Sequence, residues 1–264
     1  MIEAADVTIL CLGLDATIEG EEGDEGNAFA GGDKLSLELP EPQRKLLKVA
    51  LDTGKPIIIV LAAGSSLNTH ADKAAAILQA WYPGECGGTA LADILFGTVS
   101  PSGKLPVTFY ESVLKLPDFV DYSMKNRTYR YAEGNVLYPF GYGLTYSTVS
   151  LSDMAYENGK VSLAVTNTGE FDTDEVVQVY IRDLESPYEV KNYRLCGFKR
   201  ISLNAGESRQ VSLTLDKNAF TLVNDEGERV SGSGKYRLWA GISQPDALSL
   251  SLTNTPCLEC EVRF

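Results

Sequence analysis

The stretch that decides the fold runs from Val7 to Lys34 and reads VTILCLGLDATIEGEEGDEGNAFAGGDK. Its apolar start, Val7–Leu12, is a continuous run that is typical of a strand buried in a parallel sheet. The remainder, residues 13–34, is polar and contains six glycines, which allow sharp bends. Open α/β sheets bind their ligands in loops at the carboxyl ends of such strands. The stretch therefore predicts an α/β sheet with a functional loop at its edge.

The loop is strongly acidic. It carries seven carboxylates before its first basic residue, Lys34, and these are Asp15, Glu19, Glu21, Glu22, Asp24, Glu25 and Asp33. Neighbouring carboxylates raise the pKa of one another through like-charge repulsion, which suits a general acid that works near neutral pH. The alternative is a solvated acidic loop without chemistry.

The residues around this loop alternate helical and strand patterns up to about position 147. Gln43–Leu51 has a helical stripe of apolar residues, and Pro56–Gly64 is a β-branched run typical of a strand covered on both faces. Further elements are expected as a helix at 69–73, a strand at 74–81, a helix at 87–96 and a strand at 105–109. The pattern predicts a mostly parallel α/β sandwich domain over residues 1–147.

The second half of the chain, residues 148–264, lacks this helical pattern. Seven short strands are expected, at 160–166, 175–182, 193–201, 208–216, 219–223, 235–242 and around 248–252. Glycine-containing turns such as Asn167–Gly169 separate them. This arrangement predicts an all-β, immunoglobulin-like sandwich.

The charge and the histidine content exclude several classes of function. The formal net charge is −13, which argues against nucleic acid or an anionic membrane as a partner, since both require clustered Lys and Arg. It suits a neutral, hydroxyl-rich ligand. His70 is the only histidine, so a His-rich metal site is excluded and carboxylates are the expected proton carriers.

The cysteines and the N-terminus favour a cytoplasmic protein without a metal or cofactor. The five cysteines are an odd number, and we interpret them as reduced thiols. Cys257 and Cys260 have C-x-x-C spacing but no second pair, which makes them a weak zinc or redox motif. Met1–Asp6 is acidic where a signal peptide would be basic, and no apolar run approaches the roughly 20 residues that cross a bilayer.

Several strings in the first half resemble glycoside hydrolase family 3, the β-glucosidases and β-xylosidases. In order, they are GLD at 13–15 with EGE at 19–21, AWYPGECGG at 80–88, DILFG at 93–97 with PSGKLPVTF at 101–109, RTYRY at 127–131, and LYPFGYGLTY at 137–146. The strings VTNTG at 165–169, EVVQVY at 175–180 and GFKR at 197–200 resemble the fibronectin type III-like domain that follows in many members.

The resemblance implies an active site shared between two domains. In the family, a (β/α)8 barrel supplies an aspartate nucleophile, and the following α/β sandwich supplies a glutamate that acts as general acid/base. The family's Glu-x-Glu-Gly-x-Asp-Arg loop falls on residues 19–24 here, which points to Glu21 as the acid/base, with Glu22 and then Glu19 as alternatives. No arginine follows Asp24, and the segment Gly32–Lys34 takes that place after an insertion.

Substrate contacts are expected from Asp33, Arg127 and Tyr129. The aromatic residues of segment 119–146 form either a sugar platform or a packed seam. No barrel of eight βα units precedes residue 7, so the chain lacks the nucleophile and the opening elements of its sheet. We therefore expect the C-terminal part of a retaining β-glycosidase that acts on a β-linked oligosaccharide or glycoside and is inactive alone.

The missing barrel also predicts a partner. A separate (β/α)8 barrel polypeptide, or a second copy of this chain, is expected to cover the open side of the sheet. The alternative function is a non-catalytic carbohydrate-binding or interaction module.

Overall fold

The computed structural model describes residues 2–20 and 34–264. The chain divides into two compact units. Unit 1 holds the described residues up to Phe96 together with Phe109–Leu116, and unit 2 holds Gly97–Thr108 and Pro117–Phe264. The domain boundary predicted between residues 147 and 148 stays a prediction.

Unit 1 is built on a parallel sheet in the order β1-β2-β3. Its elements are β1 (Thr8–Gly13), α1 (Glu41–Asp52), β2 (Ile57–Ala62), β3 (Ala76–Gln79), α2 (Gly87–Leu95) and the short β4 (Phe109–Tyr110). Pro42 lies in the first turn of α1, where its missing N–H leaves no helical hydrogen bond unmade. The predicted α/β class is confirmed. The two strands expected from apolar runs, β1 and β2, pair in parallel.

One face of this sheet is packed and the other is partly open. Leu12, Ile59 and Leu61 pack with Leu47 and Ala50 of α1 in the core of the unit. On the opposite face of β1, Ile9 is 46% exposed and Cys11 is also exposed. Parallel sheets are normally covered on both faces, so the described residues leave the layer over β1 incomplete.

Unit 2 contains an antiparallel β-sandwich. Its elements are α3 (Thr128–Tyr131), β5 (Val136–Tyr138), β6 (Val149–Glu157), β7 (Lys160–Asn167), β8 (Thr173–Asp183), β9 (Arg194–Leu203), β10 (Ser208–Thr214), β11 (Thr221–Val223), β12 (Arg229–Ser231), β13 (Lys235–Gly241), α4 (Ala247–Thr253) and β14 (Leu258–Arg263). One sheet has the order β10-β7-β6 and the other the order β14-β13-β8-β9. Alternate residues such as Val161, Leu163 and Val165 of β7 are fully buried in a single core, which confirms the predicted sandwich.

The strand expected at 105–109 is irregular up to Thr108, and only Phe109 belongs to a strand, β4. Two further predicted elements are wrong because side chains bond the local backbone. Residues 69–73 are not helical, since the buried Asn68 accepts a hydrogen bond from the His70 amide at 2.9 Å and stabilises a turn. The strand expected around 248–252 is the helix α4. Asp246 caps α4 by accepting from the Ser249 amide at 2.7 Å, and Asn254 ends it in the left-handed conformation.

The segment 97–108 is fixed within unit 2 by a buried ion pair. Lys104 Nζ lies 2.8 Å from Glu175 Oε1 of β8, and the two side chains are 8% and 2% exposed. Burial raises the pKa of Glu175, while the nearby Lys104 opposes that shift. Lys104 also donates to the Gly143 carbonyl at 2.8 Å, and Ser102 accepts from Arg200 at 2.8 Å. We call residues 97–108 the strap.

Breaking this ion pair tests the importance of the strap. Lys104→Met leaves Glu175 buried without a cation, and we expect it to lower the free energy of unfolding by about 3–5 kcal/mol in urea titrations followed by circular dichroism. The double variant Lys104→Met/Glu175→Leu should recover most of that loss. Arg237→Met, at the exposed pair with Glu261, is the control and should cost less than about 1 kcal/mol. A loss at Lys104 no larger than the control would contradict the prediction.

Candidate active site

The carboxyl end of β1 is held very close to the end of β2. A Cβ atom on Gly13 would lie 1.9 Å from the Ala62 carbonyl oxygen, so only glycine fits there. Gln43 of α1 fixes the same residue, because its side chain accepts from the Gly13 amide at 2.9 Å and donates to the Gly13 carbonyl at 2.8 Å. The chain therefore leaves the sheet in a defined direction.

A short turn follows and carries Glu19. Asp15 accepts from the Thr17 hydroxyl at 2.6 Å and from the Thr17 amide at 2.9 Å, and these hydrogen bonds lower the pKa of Asp15. The amides of Ile18 and Glu19 both donate to the Asp15 carbonyl at 3.0 Å. The turn thus brings Glu19 back towards the end of β2.

The carboxylate of Glu19 meets three side chains. The Ser65 hydroxyl donates to Glu19 Oε1, and Lys34 Nζ lies 3.5 Å from the same oxygen. The Tyr82 hydroxyl is 3.5 Å from Oε2, at the outer limit of a hydrogen bond. Lys34 Nζ also donates to Ser65 Oγ and, at 3.1 Å, to the Ser66 carbonyl. A cation, a hydroxyl and a carboxylate are therefore assembled at the ends of two adjacent parallel strands, where α/β sheets bind ligands.

Backbone geometry brings the aromatic residues to this place. A Cβ atom on Gly64 would lie 2.9 Å from the Tyr82 ring and 3.8 Å from Glu19 Oε2. Glycine at position 64 thus allows the ring to lie against the chain beside the carboxylate. Trp81 has a left-handed backbone, with φ of 57°, and its ring packs edge-on against Phe109 at 6.2 Å. Left-handed backbone at a bulky residue costs free energy and is concentrated at functional sites.

Comparison with known proteins identifies the family to which this site belongs. Residues 1–146 match the glycosyl hydrolase family 3 C-terminal domain. The chain belongs to glycosyl hydrolase family 3. Residues 175–244 match the fibronectin type III-like domain, so both parts of the resemblance are confirmed.

The relatives of this family 3 chain include xylosidases and glucosidases. It is 40% identical to a xylan 1,4-beta-xylosidase of Xylanibacter ruminicola, over 96% of this chain and 30% of that protein. It is 34% identical to a periplasmic beta-glucosidase of Salmonella typhimurium, over 83% of this chain and 31% of that protein. A crystal structure of a beta-glucosidase from Kluyveromyces marxianus superposes with a TM-score of 0.81 at 29% identity, covering 100% of this chain and 32% of that one. The chain thus spans about a third of the length of these relatives.

Among the predicted family 3 acid/base residues, the structure describes only Glu19. Glu21 and Glu22 lie outside the described residues, as does the predicted substrate contact Asp33. Their roles stay predictions. Sequence analysis did not identify Ser65, Gln43 or Gly64 as site residues. The signal that could have found Gly64 and Ser65 is their place just beyond the end of β2, which corresponds to the place of the acidic loop beyond β1.

Arg127 and Tyr129 belong to unit 2, where both are engaged in packing. The Tyr129 ring stacks on Phe140 at 4.5 Å, and its hydroxyl accepts from the Leu195 amide at 2.9 Å. Arg127 donates to the Asp118 carbonyl at 2.6 Å. These contacts stabilise the aromatic segment, and the substrate contacts predicted for both residues stay predictions.

The remaining sequence motifs show no arrangement for metal binding. Within residues 2–20 and 34–264, no group of three or more His, Cys, Asp or Glu side chains is placed to hold a metal ion. Cys257 donates to the Ser243 carbonyl at 3.4 Å, and burial raises the pKa of its thiol to about 12. His70 is exposed and lies 3.4 Å from Glu38. No helix in the described part of the chain is both long and apolar enough to cross a membrane.

The close approach at Gly13 is testable with a matched glycine. Gly54 also has a positive φ, of +70°, but a Cβ atom added there would meet no described atom within 4 Å, so Gly54→Ala should cost only about 1–2 kcal/mol. We expect Gly13→Ala to cost about 3 kcal/mol or more, because the added methyl group collides with Ala62. Urea unfolding of the two variants gives the comparison, and equal losses would contradict the steric explanation.

Proposed function

We propose that this chain is the part of a retaining β-glycosidase that supplies the general acid/base, with Glu21 as that residue and Glu22 as the alternative. The observation that carries the proposal is the cluster of Glu19, Lys34 and Ser65 at the carboxyl ends of β1 and β2. It lies within a domain that matches family 3, and Glu21 follows Glu19 by two residues in the sequence.

The proposed chemistry needs two carboxyl groups. In a retaining glycosidase, one carboxylic acid protonates the leaving oxygen and then deprotonates the incoming water, while a second carboxylate forms the covalent intermediate. The two groups lie about 5–5.5 Å apart. The described residues form a parallel sheet of three strands and an antiparallel sandwich, and neither is the barrel that carries the nucleophile in the family.

The proposed substrates are β-linked glucosides or xylosides. Relatives with these activities in their names match most of this chain, although it covers only 30% and 31% of two of them. A net charge of −13 is compatible with a neutral sugar ligand.

The barrel polypeptide proposed as a partner would cover the open face of β1, where Ile9 and Cys11 are exposed. A cytoplasmic location remains a proposal that rests on reduced cysteines.

Because the described residues form no barrel that could carry the family's nucleophile, we expect the purified chain alone to have no turnover. We expect no release of nitrophenol from aryl β-glucosides or β-xylosides above the uncatalysed rate. Co-expression with a family 3 barrel polypeptide should give activity. Glu21→Gln should then reduce it by at least about 100-fold, because an amide cannot exchange the catalytic proton.

Two variants assign the acid/base. Glu22→Gln is the matched control, since it removes a neighbouring carboxylate of the same length. If Glu22→Gln abolishes turnover and Glu21→Gln does not, Glu22 is the acid/base. Robust turnover by the isolated chain would disprove the requirement for a separate nucleophile.

The binding-module alternative is favoured by one observation. Phe119 and Tyr122 of segment 117–126 are 85% and 83% exposed, as aromatic sugar platforms are. Isothermal titration with xylo- and cello-oligosaccharides tests this alternative. If the chain is an enzyme component, Phe119→Ala and Tyr122→Ala should not abolish any binding that is seen. Binding lost in these variants, together with no activity in any co-expressed assembly, would favour the module.

A further inference from the structure

Glu19 and Lys34 form an unusual ion pair for this part of the molecule. Their side chains are only 23% and 12% exposed. The other lysine–carboxylate pairs described in unit 1 are on the surface, for example Lys45 and Glu41 of α1 at 74% and 66%. A shielded pair is screened less by solvent and salt than an exposed one. The pair therefore has more influence on local geometry than the surface pairs have.

The pair is tied to the end of β2 through two serines. Ser65 accepts from Lys34 and donates to Glu19, so a single hydroxyl bridges the two charged groups. Lys34 also donates to the Ser66 carbonyl at 3.1 Å. Residues 19 and 34, which flank the acidic stretch in the sequence, are thus anchored at one point on the chain after β2.

The carboxylate of Glu19 already has partners within the protein. Its Oε1 accepts a hydrogen bond from the Ser65 hydroxyl and lies 3.5 Å from Lys34 Nζ. A general acid must instead carry its proton when the substrate binds. Glu19 is therefore placed for charge pairing and not for proton donation.

We propose that Lys34, Ser65 and Glu19 are positioning residues, which hold the two flanking residues of the acid/base segment together beyond the end of β2, and that Glu19 is not the proton donor. This inference rests on the proposed glycosidase function and assigns roles within that same site. Catalytic groups lose rate steeply when they are displaced by about 1 Å, so the loss of the anchor should be visible in turnover.

The ion pair itself can be tested on the chain alone. Ammonium protons exchange rapidly with water unless they are hydrogen-bonded and shielded. In a ¹⁵N-lysine NMR spectrum at neutral pH, we expect a protected Lys34 Nζ signal that disappears in Glu19→Gln and weakens in Ser65→Ala. Lys45 is the matched control, because its pair with Glu41 is exposed and should give no protected signal. An unprotected Lys34 signal would overturn the inference, whatever the chain catalyses.

The positioning role is tested by kinetics in the assembly with the barrel polypeptide. Lys34→Met and Glu19→Gln should each lower kcat about 10–100-fold but keep the fall of the rate at high pH, because the proton donor is displaced and not removed. The double variant should be no worse than either single variant, because the two residues act as one unit. Lys34→Arg keeps the charge and should recover most of the rate. A proton-donor variant instead loses the fall of the rate at high pH, because the group whose ionisation causes it has been removed.

The outcomes separate the inference from the proposed function. Loss of the fall of the rate at high pH in Glu19→Gln but not in Lys34→Met would make Glu19 the proton donor and overturn the inference, while the glycosidase proposal stands. Unchanged rates in Lys34→Met would overturn the positioning role alone. Absence of turnover in every assembly would overturn the proposed function and the catalytic role of the anchor together, while the NMR result still decides whether the ion pair exists.

Discussion

The parallel pairing of β1 with β2 is the constraint on which the candidate site depends. Its register places Leu12 beside Leu61 and Gly13 beside Ala62. A shift by one residue would turn the buried Leu12 of β1 to the other face of the sheet, so the hydrophobic core sets this register. With the strand ends aligned, the turn that begins at Asp15 has only a short distance to cross before Glu19 reaches Ser65.

Much of the fold could be predicted because burial leaves a pattern in the sequence. Strands β1 and β2 are continuous apolar runs, as expected of a parallel sheet, whereas β7 and β13 alternate because only one face of each packs in the sandwich core. The position of Glu19 beyond the end of β1 could be expected from the apolar strand that precedes it. The family resemblance added what patterns do not contain, a prediction of which glutamate is the acid/base.

Other features could not be predicted because single contacts decide them. The turn at Asn68 and the cap at Asp246 each depend on one side chain that bonds a nearby amide, which overrides the local propensity. The contact of Ser65 with Glu19 joins positions 46 residues apart and has no periodicity to reveal it. Tyr129 illustrates the same difficulty, since its sequence context is equally compatible with stacking on a sugar and with its observed stacking on Phe140.

The strap has a consequence for how this pair of domains is inherited. The family 3 match extends to residue 146, yet residues 97–108 within it fold as part of unit 2, around Lys104 and Glu175. Recombination at the apparent domain junction would join a strap from one parent to a sandwich from another. Unless the second parent also carried a carboxylate opposite Lys104, the hybrid would bury an unmatched charge. Recombination that replaces the sandwich alone is therefore disfavoured. The two domains are expected to have evolved together.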